Sequence, residues 1–134
     1  MIHFQRRTKQ MTLPDVVSRY IDAYNAKDVP GMIACLTRDV RFRNVSGGKI
    51  DVETHDRAAF AELAGIGAAA LAERQQTVTN AITVFDTTLV EIDYRATVAT
   101  DLPNGWTAGQ VLAFRGASSF VLRGDLIASI VDVS

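Results

Sequence analysis

Cysteine is nearly absent from this chain, since Cys35 is the single cysteine among 134 residues. One thiol excludes an internal disulfide and any metal centre that is built from several cysteines. It lies on a predicted apolar helix, where a buried thiol behaves as a small hydrophobic side chain. The sequence therefore predicts a domain held together by packing, which is compatible with a reducing, cytoplasmic environment.

An excess of charge is also lacking, because 14 basic and 15 acidic side chains give a formal net charge of -1. Nucleic-acid binding depends on a clear excess of basic residues, so we expect no nucleic-acid partner. Histidine is scarce as well: His3 and His55 have no metal-ligand spacing to other side chains. We therefore expect no metal and no other cofactor.

Long apolar runs are missing too. The longest apolar segment, residues 64–72, is too short for a membrane span and is interrupted by Gly65 and Gly67. Residues 1–12 carry several basic side chains but not the apolar stretch of a signal peptide. We predict a flexible arm over residues 1–12, a single domain over residues 13–134, and no membrane partner.

Three helices are predicted in the first half of the chain. The first begins near Pro14, and a spacing of three and four residues places its apolar side chains on one face. These side chains are Val16, Val17, Tyr20, Ile21 and Tyr24. A second, short helix follows the break at residues 28–31 and includes Leu36. A third helix is predicted over residues 57–74.

The remaining segments alternate with a period of two, which indicates β-strands. Strands are predicted over residues 39–44, 77–85, 89–100, 106–122 and 126–133. Gly116 is the expected position of a bend or bulge in the longest of them. Helices followed by such strands predict an α+β domain, with a curved antiparallel sheet wrapped around the three helices.

The first segments also resemble a known superfamily. They are residues 19–28 (Arg-Tyr-Ile-Asp-Ala-Tyr-Asn-Ala-Lys-Asp), 32–36 (Met-Ile-Ala-Cys-Leu) and 39–44 (Asp-Val-Arg-Phe-Arg-Asn). They resemble the opening of nuclear transport factor 2-like proteins, which include ketosteroid isomerases, SnoaL-like polyketide cyclases and limonene-type epoxide hydrolases. The resemblance extends over roughly residues 14–134. It implies a cone-shaped α+β barrel with one deep pocket, but no particular activity, because one fold hosts many functions.

The resemblance also implies a homodimer formed through the outer face of the sheet. Period-two alternation places Ile92 and Tyr94 on the inner face of one strand, and it places Glu91, Asp93 and Arg95 on the opposite face. This charged row is therefore expected to face solvent or a second subunit.

Ketosteroid isomerases use an aspartate base, together with a tyrosine and a protonated aspartic acid that stabilise the enolate oxygen. By position, Tyr20 matches the tyrosine, Asn44 stands in place of the base, and Ser118 stands about where the second acid would be. An amide is not basic, so an isomerase that uses this base is not expected. Tyr20 is then either a core aromatic residue or a group that binds a ligand.

Epoxide hydrolases of the limonene type combine a tyrosine and an asparagine on the first strand with an arginine and two aspartates. Asn44 matches the asparagine and Asp132 matches one aspartate, while Phe42 replaces the tyrosine. The arginine and the other aspartate would fall near Ile92 and Tyr94. The hydrolase pattern is therefore incomplete, and water activation would depend on Asp132 alone.

Asp132 is the acid of greatest interest. It shares a face of the last strand with Leu126, Ala128 and Ile130, which are expected to point to the core or cavity. Desolvation there would raise the pKa of the carboxyl group and make it a candidate general acid or base. SnoaL-like cyclases also rely on a single cavity aspartate. Alternatively, Asp132 lies near a hydrated chain end or pairs with an arginine.

Aromatic and polar residues from several elements are predicted to line the cavity. The predicted ligand-binding residues are Tyr20, Tyr24, Phe42, Asn44, Phe60, Tyr94, Trp106, Phe114, Ser118 and Asp132. Mostly apolar walls suit a small hydrophobic ring molecule of the steroid or polyketide type. The leading hypothesis is a cofactor-independent isomerase, cyclase or hydrolase, with Asp132 and Tyr20 as its catalytic residues. A non-catalytic binding module and a dimeric interaction protein remain the alternatives.

Overall fold

The computed structural model describes residues 12–134. Apart from Thr12, the predicted N-terminal arm lies outside the described residues. Three helices follow in the first half: α1 (Asp15–Asn25), α2 (Val29–Ile33) and α3 (Arg57–Ala70). The strands are β1 (Leu36–Ser46), β2 (Lys49–Thr54), β3 (Leu71–Val84), β4 (Thr87–Val98), β5 (Val111–Arg123) and β6 (Leu126–Val133).

The six strands form one curved, unclosed sheet in the order β2-β1-β6-β5-β4-β3. Neighbouring strands are antiparallel except for β1 and β6, which run parallel. The sheet is therefore mixed, where a purely antiparallel one was predicted. The long connection through α3, β3, β4 and β5 allows the last strand to return beside the first in the same direction. The predicted α+β cone, with helices against a curved sheet, is confirmed.

Helix α1 buries the predicted apolar face, with Val17 fully buried and Tyr20 nearly so. Helix α2 begins where the Asp28 carboxylate accepts a hydrogen bond from the Gly31 amide at 3.0 Å. It ends at Ile33, so the prediction that Leu36 belongs to this helix was wrong. Leu36 instead starts β1, fully buried and in register with Ile127 of β6.

Helix α3 begins at the predicted position, where the Asp56 carboxylate accepts a hydrogen bond from the Ala59 amide at 2.8 Å. It ends at Ala70, four residues before the predicted end at Arg74. From Leu71 onward the chain pairs with β4, beginning with Leu71 opposite Val98. Strand pairing overrides the helix propensity of this segment, and Arg74 consequently lies on a strand.

Strand β2 forms a hairpin with β1 that the sequence analysis did not predict. Strand β5 begins at Val111, and residues 106–110 belong to the preceding loop, where a strand had been predicted. A turn precedes them, with Gly105 at a φ of +98°. Asp101 fixes this loop, since its carboxylate accepts a hydrogen bond from the Ala108 amide at 2.9 Å.

The predicted bend or bulge at Gly116 is not a register shift, because the pairing of β5 with β4 continues through this residue. The shift lies between Val121 and Leu122, opposite Ala128 of β6. Gly116 has another role. A Cβ there would lie 2.8 Å from the carbonyl oxygen of Val133. Because glycine has no side chain, β5 and the end of β6 can approach each other closely at this point.

The core lies between the helices and the concave face of the sheet. Its fully buried members include Val17, Leu36, Val40, Ile127 and Ile130. Ala128 is the extra residue of β6 at this register shift, and it turns Ile127 inward. Leu126 and Ala128 were expected to face the core, but they are only partly buried. Ile130 faces inward as predicted.

The outer face of the sheet carries the predicted charged row. Glu91, Asp93 and Arg95 are exposed, and Arg115 of β5 lies 3.7 Å from Glu91 and 3.6 Å from Asp93. Such exposed ion pairs contribute little to stability. No helix within residues 12–134 is both long enough and apolar enough to cross a membrane.

Candidate functional site

The concave side of the sheet encloses two adjoining spaces. One, the helix-side chamber, has a volume of about 310 Å³ and is lined by residues of α1, α3 and the strands beneath them. The other, the strand-side chamber, has a volume of about 190 Å³ and lies between β4, β5 and the end of β6. Four residues line both chambers: Tyr24, Asn44, Leu71 and Asp132.

The ten residues predicted to bind a ligand are distributed over these two chambers. Tyr20, Phe42 and Phe60 line the helix-side chamber. Tyr94, Trp106, Phe114 and Ser118 line the strand-side chamber, and the remaining three residues are shared. Trp106 and Phe114 are 37% and 46% exposed and so form its rim. The fold brings all ten together, while their part in binding stays a prediction.

Asp132 lies where the two chambers meet. It is in register with Asn44 of β1 on one side and with Ser118 of β5 on the other. The Ser118 hydroxyl donates a hydrogen bond to the Asp132 carboxylate at 2.6 Å. Burial raises the pKa of Asp132 to about 6, although the bond from Ser118 opposes this rise. Near neutral pH the carboxyl group can therefore both take up and release a proton.

Asn44 places an amide beside this carboxyl group. Its Nδ2 lies 3.5 Å from the carboxylate of the exposed Asp51, which is a long and weak hydrogen bond. The amide is therefore available to either chamber, as a donor and as an acceptor. It can orient a ligand oxygen, but it cannot act as a base.

Tyr20 projects from α1 into the helix-side chamber. Its ring packs against Phe60 and Phe120, with centroid distances of 6.5 and 5.8 Å. Burial, and secondarily the charge of Asp132, raises the pKa of Tyr20 well above its usual value. The hydroxyl group therefore stays protonated and can donate a hydrogen bond to a ligand oxygen.

Two further tyrosines connect the chambers. The hydroxyl groups of Tyr24 and Tyr94 are hydrogen-bonded to each other at 2.9 Å. The ring of Tyr94 also stacks on Phe114, with 4.8 Å between centroids. Burial raises the pKa of both tyrosines, so both remain neutral at physiological pH. This pair forms an uncharged, partly aromatic wall.

Arg74 is a site residue that the sequence analysis missed. It is 5% exposed and lines the helix-side chamber from β3. Its Nε donates to the carbonyl oxygen of Tyr24 at 2.7 Å, and its guanidinium carbon lies 3.7 Å from the centroid of the Tyr24 ring. The alternation of Arg74, Gln76 and Val78 was the available signal, but the alanine-rich segment before it suggested a helix.

Gln76, two residues further along β3, is also buried and lines the strand-side chamber. Its backbone amide donates to the Asn25 side chain at 2.7 Å, which ties β3 to the end of α1. Its side-chain oxygen Oε1 has no hydrogen-bond partner among residues 12–134. A buried acceptor of this kind is available to a donor group of a ligand.

The arrangement departs from the epoxide-hydrolase pattern in the way that alternation predicted. Ile92 and Tyr94 line the strand-side chamber, whereas Asp93 and Arg95 are exposed on the outer face. Among residues 12–134, Asp132 provides the one side-chain carboxylate that lines either chamber. Chemistry here would therefore rest on a single acid, with tyrosine and amide groups and one guanidinium around it.

Residues that could hold a metal are not grouped in the described part of the chain. Between residues 12 and 134, no cluster of three or more His, Cys, Asp or Glu side chains is placed to bind a metal ion. Cys35 is buried, and its thiol lies 3.4 Å from the Gly31 carbonyl oxygen. We therefore assign no metal-binding role to Cys35 or to the acidic side chains of the described residues.

Comparison with known proteins decides the family. Residues 17–130 match the family model described as the SnoaL-like domain. The chain belongs to the SnoaL-like family, within the nuclear transport factor 2-like superfamily. A search of curated proteins gave no significant match.

Solved structures share the fold over most of their length. A hypothetical protein with a ketosteroid isomerase-like fold from Catenulispora acidiphila, in complex with trimethylamine, superposes with a TM-score of 0.73 at 18% identity, covering 90% of this chain and 85% of its own. A candidate polyketide cyclase from Silicibacter gives a TM-score of 0.69 at 25% identity, covering 88% and 85%. A limonene-type epoxide hydrolase from M. tuberculosis gives 0.73 at 14% identity, covering 90% and 80%. At such low identity these likenesses establish the fold and not an activity.

Proposed function

We propose that this SnoaL-like protein binds a small hydrophobic ring compound in its two chambers and catalyses a cofactor-independent proton-transfer reaction on it. The reaction that we propose is an isomerisation, a cyclisation or a hydrolysis. The observation that carries the proposal is Asp132, a carboxyl group with a pKa of about 6 at the junction of two largely apolar chambers.

Three groups around Asp132 have complementary roles in this proposal. The Tyr20 hydroxyl, which remains protonated, donates a hydrogen bond to a carbonyl or enolate oxygen of the substrate. The Asn44 amide orients the same oxygen, while Ser118 fixes the carboxyl group. Asp132 then removes or delivers a proton on the adjacent carbon or oxygen.

The second candidate is a non-catalytic binding module. Asn44 favours it, because an amide replaces the aspartate base that ketosteroid isomerases carry at this position. A third candidate, an interaction protein with a filled cavity, is opposed by the volume of the helix-side chamber, about 310 Å³.

The experiment begins with native mass spectrometry of the freshly purified protein, with a denatured sample as control. A bound small mass that is lost on denaturation identifies a ligand to test. That compound is then incubated with the wild type and with Asp132→Asn. Conversion by the wild type alone supports the enzyme, whereas equal binding without conversion supports the binding module. Equal conversion by both proteins would refute the role of Asp132.

We also propose that the protein is a homodimer that is joined through the outer face of the sheet, and that it acts in the cytoplasm. The charged row of Glu91, Asp93, Arg95 and Arg115 on that face supports the dimer. Alanine side chains of β5, at Ala113 and Ala117, are exposed between these charges and leave room for a second sheet.

A further inference from the structure

Arg74 is a buried cation that has no carboxylate partner among residues 12–134. It is 5% exposed, and none of the ion pairs among residues 12–134 includes it. An arginine keeps its charge at every physiological pH, so burial cannot be relieved by losing a proton. A buried charge with no opposite charge is unfavourable unless other groups compensate for it.

The compensation inside the protein, which includes the face of the Tyr24 ring at 3.7 Å from the guanidinium carbon, is incomplete. The Nε group donates to the Tyr24 carbonyl at the end of α1, where the helix dipole favours a cation. One terminal nitrogen lies 3.6 Å from the sulfur of Met32, which is a weak acceptor. A guanidinium has five N–H donors, so the remaining donors have no protein acceptor in the described part of the chain.

The free side of the guanidinium faces the helix-side chamber. Arg74 lines this chamber together with Gly67 of α3. A Cβ atom built on Gly67 would lie 3.9 Å from the Nη1 atom of Arg74. The glycine therefore leaves open space next to the unused donors, in a chamber whose other walls are mainly aromatic and aliphatic.

We infer that Arg74 binds an acidic group of the ligand, so that the helix-side chamber selects aromatic or alicyclic ring compounds that carry a carboxylate. This inference deepens the proposed function and rests on it for the existence of a ring-binding chamber. A carboxylate matches the planar guanidinium and accepts from its remaining N–H groups. The aromatic and aliphatic walls would hold the ring, and Asp132 would lie at the other side of the same chamber.

The test compares two probes of equal shape, 1-naphthoate and 1-naphthamide, by isothermal titration calorimetry. The titrations are done at about pH 5.5, where the naphthoate is still ionised and part of the Asp132 population is protonated. The proteins are the wild type, Arg74→Gln, Arg74→Lys and the control Arg95→Gln. Arg95 lies one strand away on β4, but it is exposed on the outer face.

We expect the wild type and Arg95→Gln to bind the carboxylate about tenfold more tightly than the amide, because charge-assisted hydrogen bonds are stronger than neutral ones. Arg74→Gln should lose this preference while its affinity for the amide is unchanged, and Arg74→Lys should keep part of it. The amide affinity shows whether the chamber is still folded, which matters because Arg74 also holds the end of α1.

Two results would overturn the inference alone. One is equal affinity of the wild type for both probes, and the other is an equal loss of both affinities in Arg74→Gln and Arg74→Lys, which would make Arg74 a structural residue. If the wild type binds neither probe, the claim that this chamber binds ring compounds is refuted. Both the proposed function and this inference would then be refuted together.

Discussion

The Ser118 hydroxyl group donates a hydrogen bond to the Asp132 carboxylate at 2.6 Å, between residues that are directly opposite each other on β5 and β6. This bond opposes the effect of burial on the carboxyl group. Burial favours the neutral acid, whereas the donated hydrogen bond favours the carboxylate. The two effects together leave a pKa of about 6, which suits an acid or base that works near neutral pH.

Ser118→Ala should raise the pKa of Asp132, because it removes the hydrogen bond that stabilises the charged form and leaves desolvation unopposed. The ¹³C chemical shift of the Asp132 carboxyl group, followed by NMR as a function of pH, measures this change directly. Ser119→Ala is the matched control, since Ser119 is adjacent in sequence but pairs with Val131. An unchanged or lower pKa in Ser118→Ala would contradict the assigned hydrogen bond.

Asp132 should also make the stability of the protein depend on pH. Its pKa is raised from an ordinary value near 4 to about 6 in the folded state. Between these values the folded protein binds more protons than the unfolded chain, so the free energy of unfolding falls as the pH rises. The loss of stability levels off above about pH 7, where the carboxyl group is ionised in the folded state as well. Its size is on the order of 3 kcal/mol, since the pKa differs by about two between the folded and unfolded states and one pKa unit corresponds to about 1.4 kcal/mol.

Asp132→Asn removes this titration and preserves an acceptor for Ser118. Relative to the wild type, the variant should therefore gain stability between about pH 4 and pH 7, and urea denaturation at several pH values measures the difference. Comparing the two proteins cancels the titration of the other carboxyl groups. A difference that stays constant over this pH range would show that Asp132 titrates normally and is not desolvated.

The architecture was largely predictable from the sequence because it depends on periodicity. Spacing along α1 predicted the burial of Val17 and Tyr20, and alternation along β4 separated Ile92 from Asp93. The ten predicted site residues also meet at the two chambers: helical spacing turns Tyr20, Tyr24 and Phe60 inward, and alternation does the same for the residues on strands, while Trp106 comes from the loop before β5.

The missed features depend on contacts that no local pattern encodes. Arg74 was assigned to a helix because the residues before it favour helix, whereas pairing with β4 fixes it as a strand. The inward position of Ile127 follows from a one-residue register shift opposite Leu122. The function of Gly116 depends on the approach of Val133, a residue far along the chain.

The outer face of the sheet gives a prediction about assembly. If this face joins two subunits, sedimentation velocity should show a dimer, and Arg115→Glu should shift it toward monomer. The substitution places a third carboxylate beside Glu91 and Asp93, where Arg115 now neutralises them. Arg123→Glu is a matched control, because it also disrupts an exposed ion pair, with Asp39, at one end of β5. A wild type that sediments as a monomer at micromolar concentration would refute the proposed dimer.

Substitutions of two glycines in α3, Gly65 and Gly67, can distinguish an effect on helix stability from an effect on ligand binding. Gly65 is exposed, and a Cβ there would meet nothing within 4 Å. Gly65→Ala should therefore stabilise the protein by about 1 kcal/mol, because alanine favours a helix interior. Gly67→Ala should give a similar gain, since the added Cβ would make an ordinary contact at 3.9 Å from Arg74. Urea denaturation of both variants measures these gains.

The two variants should differ in binding, because only the methyl group at residue 67 occupies the space next to the guanidinium of Arg74. Gly67→Ala should weaken the binding of 1-naphthoate, while Gly65→Ala should leave it unchanged. Since both substitutions stabilise the same helix, a difference in affinity cannot come from helix stability. Equal affinities in the two variants would mean that the carboxylate does not lie between α3 and Arg74.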